Sequence, residues 1–198
     1  MKDNLHELIF VLDQSAVIEN VIDTLTKSLK KLVAKQKKTP CQTNITMSMF
    51  GSEFRMLYDA CPINNVSFKG EVFPTSGVCP FIDATMSTMD IVGKRLSDTD
   101  ESERPSKVIV AIIVFGRDNA SRKHTYDELK KMIEQQTNVY NWQFFLMTDF
   151  SIVMEKIGIP EDDTVLIKRD EPNCYENAYS ILNEKISMCR QKSLLQSV

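Results

Sequence analysis

Two oxygen-bearing residues, Asp13 and Ser15, follow directly on the apolar run 7–12. A carboxylate and a hydroxyl two residues apart are hard ligands of the kind that Mg²⁺ binds in proteins. The same pair also suits the start of a helix, where side-chain oxygens accept backbone N–H bonds and negative charge is favoured. The spacing therefore leaves two roles open for these residues, metal ligand and helix cap.

Cys79 is the residue whose chemistry depends most on its surroundings, because it precedes Pro80 and a predicted helix. Helix N-termini lower the pKa of a thiol and make it reactive, but a free cysteine also serves as a small apolar core residue. A catalytic cysteine needs a base, and the two histidines, His6 and His124, lie at the start of the first predicted strand and in the loop before a predicted helix. We therefore expect no enzyme, with a thiol-based redox or catalytic role for Cys79 as an alternative.

The sequence contains none of the short motifs that α/β enzymes use to hold phosphates or to present a nucleophile. Neither G-x-G-x-x-G nor G-x-x-x-x-G-K-[ST] nor G-x-S-x-G occurs in it. Their absence lowers the expectation of catalysis further. A binding function then becomes the main prediction.

Length, charge and cysteine usage limit the remaining classes of protein. A chain of 198 residues has room for one sizeable core, so we predict a single domain over residues 1–190 and a frayed tail over 191–198. The net charge of −3 argues against nucleic acid as the partner. The first apolar run is too short for a signal peptide or a membrane span, and five cysteines without a C-x-x-C pair are typical of free thiols. These features predict a cytoplasmic protein that binds neither nucleic acid nor a membrane.

Apolar runs and helical periodicity alternate along the chain. The runs predict strands at 7–12, 45–50, 54–58, 108–115, 142–147 and 165–167. Spacings of three and four residues predict helices that begin near Val17, Phe81, Tyr126, Ser151 and Asn173, and Thr125 and Glu128 have the spacing of a capping box. The last helix is expected to end near Met188, with Ile181 among its buried residues.

This alternation predicts a three-layer, doubly wound α/β fold with a mostly parallel sheet. The uniformly apolar runs 7–12 and 108–115 are expected to be neighbouring central strands, covered on both faces. The short Gly51-containing turn between 45–50 and 54–58 predicts an antiparallel strand at the sheet edge. In such folds ligands bind outside the carboxyl ends of the strands.

Against this background FVLDQSAVI, residues 10–18, resembles the strand and loop that carry the Asp-x-Ser-x-Ser signature of von Willebrand factor A domains. Further blocks at 73–84, 103–136 and 140–147 resemble the bacterial cytosolic branch of that family in the same order. The resemblance covers about residues 6–190. It implies the von Willebrand factor A, or Rossmann-like, fold and a binding role.

The resemblance also implies a metal-ion-dependent adhesion site, in which five side chains on three loops hold Mg²⁺ or Mn²⁺. Asp13 and Ser15 match two of these ligands, whereas Val17 stands in place of the second Ser. Cys79 stands in place of the Thr of the second loop, and Val114-Phe115-Gly116 replaces the Thr-Asp-Gly of the third. The resemblance therefore implies a degenerate site in which Asp13 and Ser15 are vestigial metal ligands and no cofactor is bound.

We accordingly predict a non-enzymatic module that binds a protein partner through the loops at the carboxyl ends of the strands. Its predicted partner surface consists of Asp13, Ser15, Cys79 and Phe115. Phe115 is expected either to fill the former metal cavity or to project as an aromatic anchor.

One alternative keeps a divalent metal. In it the oxygens of Asp118, Asp149 and Thr75 supply a rearranged ligand set on the same side of the sheet.

Overall fold

A computed structural model describes residues 1–68, 75 and 77–196. In this part of the chain one mixed sheet contains β1 (Lys2–Asp13), β2 (Gln42–Phe50), β3 (Phe54–Pro62), β4 (Pro105–Val114), β5 (Gln143–Thr148) and β6 (Thr164–Leu166). Their order across the sheet is β3-β2-β1-β4-β5-β6. The pairing of β2 with β3 is antiparallel, and the other pairings are parallel. The predicted central pair and antiparallel edge are confirmed.

The strands β1 and β4 lie at the centre because the carboxyl-terminal part of each is uniformly apolar. Residues 8–12 of β1 and 108–114 of β4 are buried. A strand that buries both faces needs a helical layer on each side. The helices are α1 (Ile22–Gln36), α2 (Phe81–Ser97), α3 (Tyr126–Tyr140), α4 (Ser151–Ile157) and α5 (Cys174–Gln196).

Two hydrophobic clusters, one on each face of the sheet, form the core. Alternate residues of β1 divide between them: Leu8 and Phe10 pack with α1 and α5, whereas Ile9 and Val11 pack with α2, α3 and α4. The result is the three-layer α/β architecture that the alternation of elements predicts.

The helix ends that local sequence signals predict agree with the structure in two cases. Thr125 and Glu128 form the capping box at the start of α3, and Gly158 adopts a left-handed conformation, with φ of 73°, at the end of α4. Two boundaries differ from prediction. Residues 16–21 form a 3-10 helix before α1 begins, and α5 continues past Met188 to Gln196.

The length of α5 also bears on the predicted tail. Residues 191–196 continue the helix, while 197 and 198 lie outside the described residues, as do residues 73, 74 and 76 of the second resembling block. Ile181 is 46% exposed rather than buried, because the buried stripe of α5 runs through Ala178, Leu182 and Ile186. None of the helices formed by the described residues combines the length and the apolarity needed to cross a membrane.

Candidate binding face at the carboxyl ends of the strands

The loops that follow β1, β4 and β5, together with residues 77–80, form one end of the molecule, which we call the top face. Asp13 holds two of these loops together. Its Oδ1 accepts a hydrogen bond from the backbone N–H of Ser15 (2.7 Å), and its Oδ2 accepts one from the N–H of Phe115 (2.9 Å). Only 4% of Asp13 is exposed, and burial raises the pKa of its carboxyl group against the opposing effect of these N–H donors.

The helix-cap role does not describe what the side chains of this pair do. Ser15 is the N-cap of the 3-10 helix over residues 16–21, but no side-chain capping bond forms there or at the start of α1. The carboxylate of Asp13 instead links the loops after β1 and β4 through its hydrogen bonds. The Ser15 hydroxyl is buried, at 2% exposure of the residue, and makes no hydrogen bond of normal geometry with the described residues.

Val17 and Cys79, which stand in place of two metal-site residues, meet beside Gly116. A Cβ atom placed on Gly116 would lie 3.2 Å from Cys79 Sγ and 3.6 Å from Val17 Cγ1. Cys79 Sγ itself lies 3.9 Å from Asp13 Oδ2. The structure therefore brings these loop positions together and places methyl groups and a sulfur there.

The environment of Cys79 lowers the reactivity of its thiol. The residue is 3% exposed, and burial, followed by the negative charges of Asp13 and Asp118, raises the pKa of its thiol well above the usual range. The thiolate is the nucleophilic form of cysteine. Cys79 is thus a protonated core thiol at neutral pH.

Phe115 fills space under the top face. It is 1% exposed, and its ring meets the ring of Tyr175 edge to face with centroids 5.8 Å apart. The buried alternative for Phe115 is therefore the observed one.

The predicted partner surface needs the same correction as a whole. Asp13, Ser15, Cys79 and Phe115 are all buried, so they form the floor of the top face. The loops fold over them because Asp13 satisfies backbone donors in both. Their exposed neighbours include Val17, which is 45% exposed, and Val78, which is 43% exposed.

The three oxygen donors of the alternative ligand set have different environments. Asp118 accepts hydrogen bonds from Ile82 N (3.0 Å) and from the N–H and hydroxyl of Ser121, so it holds the start of α2. Thr75 is half-buried. The Asp149 side chain is 7% exposed, pairs through Oδ2 with Arg169, and has no hydrogen-bond partner for Oδ1 among the described residues.

Arg169 connects Asp149 to the floor of the face. Its guanidinium also donates to the carbonyl oxygen of Phe115 (3.3 Å). Burial raises the pKa of Asp149, while the charge of Arg169 lowers it and the charge of Asp13 adds a smaller rise. A guanidinium of the protein thus supplies positive charge beside these carboxylates.

The residues present do not fit the Mg²⁺ or Mn²⁺ ion that the resemblance implies. Such ions take about six oxygen ligands. Both carboxylate oxygens of Asp13 already accept backbone N–H bonds, Cys79 and Val17 offer no hard oxygen, and Asp149 is paired with Arg169. Within the described ranges, no group of three or more His, Cys, Asp or Glu side chains is arranged to hold a metal.

Sequence reasoning missed one further cluster, at the opposite end of the sheet, where His6, Cys41 and Arg190 meet. A signal for it exists in α5. Arg190 continues the four-residue spacing of the buried stripe Ala178, Leu182 and Ile186, so the spacing alone places an arginine in the core.

No protein-family model matches the sequence, and no curated protein matches it. Similar solved structures nevertheless exist. The PilB minor pilin from Streptococcus sanguinis, solved as its D319A mutant, has a TM-score of 0.66 at 10% identity over 98% of this chain and 63% of that one. Proximal thread matrix protein 1 from the mussel byssus, with a zinc-occupied MIDAS motif, has a TM-score of 0.61 at 13% identity.

This chain spans less than half of the mussel protein, covering 94% of itself and 46% of that chain. The manganese-loaded TRAP protein of Plasmodium vivax has a TM-score of 0.56 at 15% identity over 92% of this chain and 73% of that one. Identities this low show the fold alone. The order of the strands, the antiparallel edge and these neighbours together show that the chain has a von Willebrand factor A-like fold.

Proposed function

We propose that this chain is a non-enzymatic protein-binding module that engages its partner through the top face without a metal ion. The observation that carries the proposal is that exposed apolar side chains lie on the face where the resembling family holds a metal ion. Val17, at a position that resembles a metal ligand, is 45% exposed and lies, like Cys79, beside Gly116. Val78 is 43% exposed on the adjoining segment, where Gly77 accepts a hydrogen bond from Ala16 N (3.4 Å).

Basic side chains flank this apolar centre. Arg117 is exposed and stacks its guanidinium over the ring of Phe150 at 5.3 Å. The side chain of Arg169 is 46% exposed. Protein interfaces commonly join an apolar centre to a polar rim, and arginine is enriched in them. We infer a partner that offers a small apolar contact surrounded by acidic groups.

The absence of catalysis in this proposal is supported by the state of the possible nucleophile. Cys79 is buried, and its pKa is raised. Both oxygens of Asp13 are used in holding the loops. We also infer a cytoplasmic location, because all five cysteines are free thiols.

A second candidate is a divalent-metal-dependent binding module with rearranged ligands. Two buried oxygens favour it, Ser15 Oγ and Asp149 Oδ1, neither of which has a hydrogen-bond partner among the described residues. The two candidates differ in whether metal changes thermal stability.

The binding proposal is tested by Val17→Asp, which places a charge at the apolar centre. Its matched control is Val139→Asp, at a 66% exposed valine near the end of α3. We expect a partner captured from the native host by the wild-type chain to be retained by the control and to lose at least about tenfold in affinity with Val17→Asp. Equal binding by both variants, measured on the purified pair by calorimetry, would contradict the proposal.

A further inference from the structure

The second cluster joins a thiol, an imidazole and a guanidinium at the end of the sheet opposite the top face. His6 lies on β1, Cys41 directly precedes β2, and Arg190 lies on α5. Cys41 Sγ is 3.4 Å from His6 Nδ1 and 2.9 Å from Arg190 Nη2. Three segments that are distant in sequence thus bring these groups into contact.

Among the described residues, Arg190 has no carboxylate partner although it is a buried cation. It is 0% exposed, and within residues 1–68, 75 and 77–196 it forms no salt bridge. Its guanidinium donates instead to Gln36 O (3.0 Å), to Gln36 Oε1 (2.7 Å) and to the hydroxyl of Thr43. A buried charge is costly unless an opposite charge balances it. Among the side chains that Arg190 contacts, Cys41 is the one with a sulfur nucleophile, and its sulfur lies 2.9 Å from the guanidinium.

His6 does not carry the positive charge beside Cys41. Its Nδ1 accepts a hydrogen bond from Arg190 Nε (3.3 Å), and the residue is 0% exposed. Burial, followed by the positive charges of Arg190 and Lys107, lowers the pKa of His6 to about 4. The imidazole is therefore neutral at pH 7, and the positive charge beside Cys41 belongs to Arg190.

We propose that Cys41 is a modification site at which small hydroperoxides oxidise the thiol to a sulfenic acid. The thiol gives up its proton, and the sulfur, as thiolate, attacks the terminal oxygen of the hydroperoxide. An S–O bond forms while the O–O bond breaks, and the departing hydroxide or alkoxide takes up that proton and leaves as water or an alcohol. The sulfur loses two electrons, and the peroxide gains them. The guanidinium of Arg190 and the hydroxyl of Thr43 lie where they can stabilise the new oxygen.

Exposure supports the same assignment. Cys41 is half-buried, whereas Cys79 is fully buried. Cys61 is also half-buried, but its thiol contacts the carbonyl oxygen of Pro62 (3.6 Å) rather than a guanidinium. Cys61 is therefore an internal reference of similar exposure.

The test lets the five thiols of the intact folded chain compete for reagent. Iodoacetamide at pH 7, followed by peptide mass spectrometry, should label Cys41 about tenfold faster than Cys61, since the Cys41 sulfur contacts a guanidinium and the Cys61 sulfur contacts a carbonyl oxygen. Hydrogen peroxide in the presence of dimedone should place the sulfenic adduct on Cys41 first. If Cys41 reacts no faster than Cys61 with either reagent, the proposal is overturned.

Two variants identify the source of the reactivity. Arg190→Gln should remove the preference for Cys41, while His6→Gln should change its rate by less than about twofold, because the charge comes from the guanidinium. Circular dichroism shows whether each variant is folded, and unfolding is recognised by equal labelling of all five thiols. A folded Arg190→Gln that keeps the preference would also overturn the proposal.

Discussion

Two cysteines at opposite ends of the same sheet have opposite electrostatic surroundings. Cys79, beneath the top face, lies beside the carboxylates of Asp13 and Asp118, which together with burial raise the pKa of its thiol. Cys41, at the other end, contacts the guanidinium of Arg190. Both cysteines lie just before a regular element, a helix for Cys79 and a strand for Cys41.

The difference shows that the chemistry of a cysteine depends on the charges packed around it. Cys79 is the thiol that sequence singles out, because it precedes a helix. The helix start does not activate it, since burial and two acidic neighbours act in the opposite direction. The sequence around Cys41 does not indicate a reactive thiol, yet folding brings a guanidinium and an imidazole into contact with its sulfur.

The largest expected effect comes from removing the cation of the lower cluster. Arg190→Ala leaves the acceptors on Gln36 and Thr43 without their donor in a buried site and opens a cavity. We expect a loss of about 4 kcal/mol in the free energy of unfolding, measured by urea denaturation. The control, Arg122→Ala, truncates an exposed arginine and should change stability by less than about 0.5 kcal/mol. A decrease of less than about 1 kcal/mol in the free energy of unfolding of Arg190→Ala would show that the contacts of Arg190 do not stabilise the packing of α5.

A smaller effect should appear as a pH dependence of stability. The pKa of His6 is lowered from 6.5 to about 4 on folding, so between these values the unfolded state binds more protons than the folded state. The contribution of His6 is therefore complete above pH 6.5 and is lost as the pH falls through about 4. As the pH falls through this range, we expect the free energy of unfolding of the wild type to decrease by about 2 to 3 kcal/mol more than that of His6→Gln.

The titration itself can be followed in the His124→Gln background, where His6 is the remaining histidine. Its imidazole resonances in an NMR titration should move near pH 4. A midpoint near 6.5 would show that Arg190 and burial do not act on His6 as the structure indicates.

The smallest effect concerns the top face and metal. Wild type should change its melting temperature by less than about 1 °C on addition of Mg²⁺, whereas Val17→Ser with Cys79→Thr restores two hydroxyls beside Asp13 and Ser15 and should give a Mg²⁺-dependent rise of about 3 °C. Phe115 is left unchanged because its ring is part of the core. A larger rise in wild type that disappears in Asp13→Ala would favour the metal-dependent candidate instead.

The sequence predicted the architecture well because its signals are local or periodic. Uniformly apolar runs identified β1 and β4 as central strands, and Thr125 with Glu128 identified the start of α3. The convergence of the loops after β1 and β4 also followed, since the carboxyl ends of neighbouring parallel strands meet at one edge. Asp13 and Phe115 therefore proved to be in contact.

The sequence by itself thus determined which segments form the sheet and its covering layers, and which loops share the top face. The tertiary structure alone decided that Asp13, Ser15, Cys79 and Phe115 lie beneath that face, and that Arg190 reaches Cys41 across 149 residues of chain. Residue spacing shows which side of an element is apolar. Burial and charge pairing depend instead on atoms that only folding brings together, and these atoms decide whether a carboxylate binds a metal or an N–H group and whether a thiol is inert or reactive.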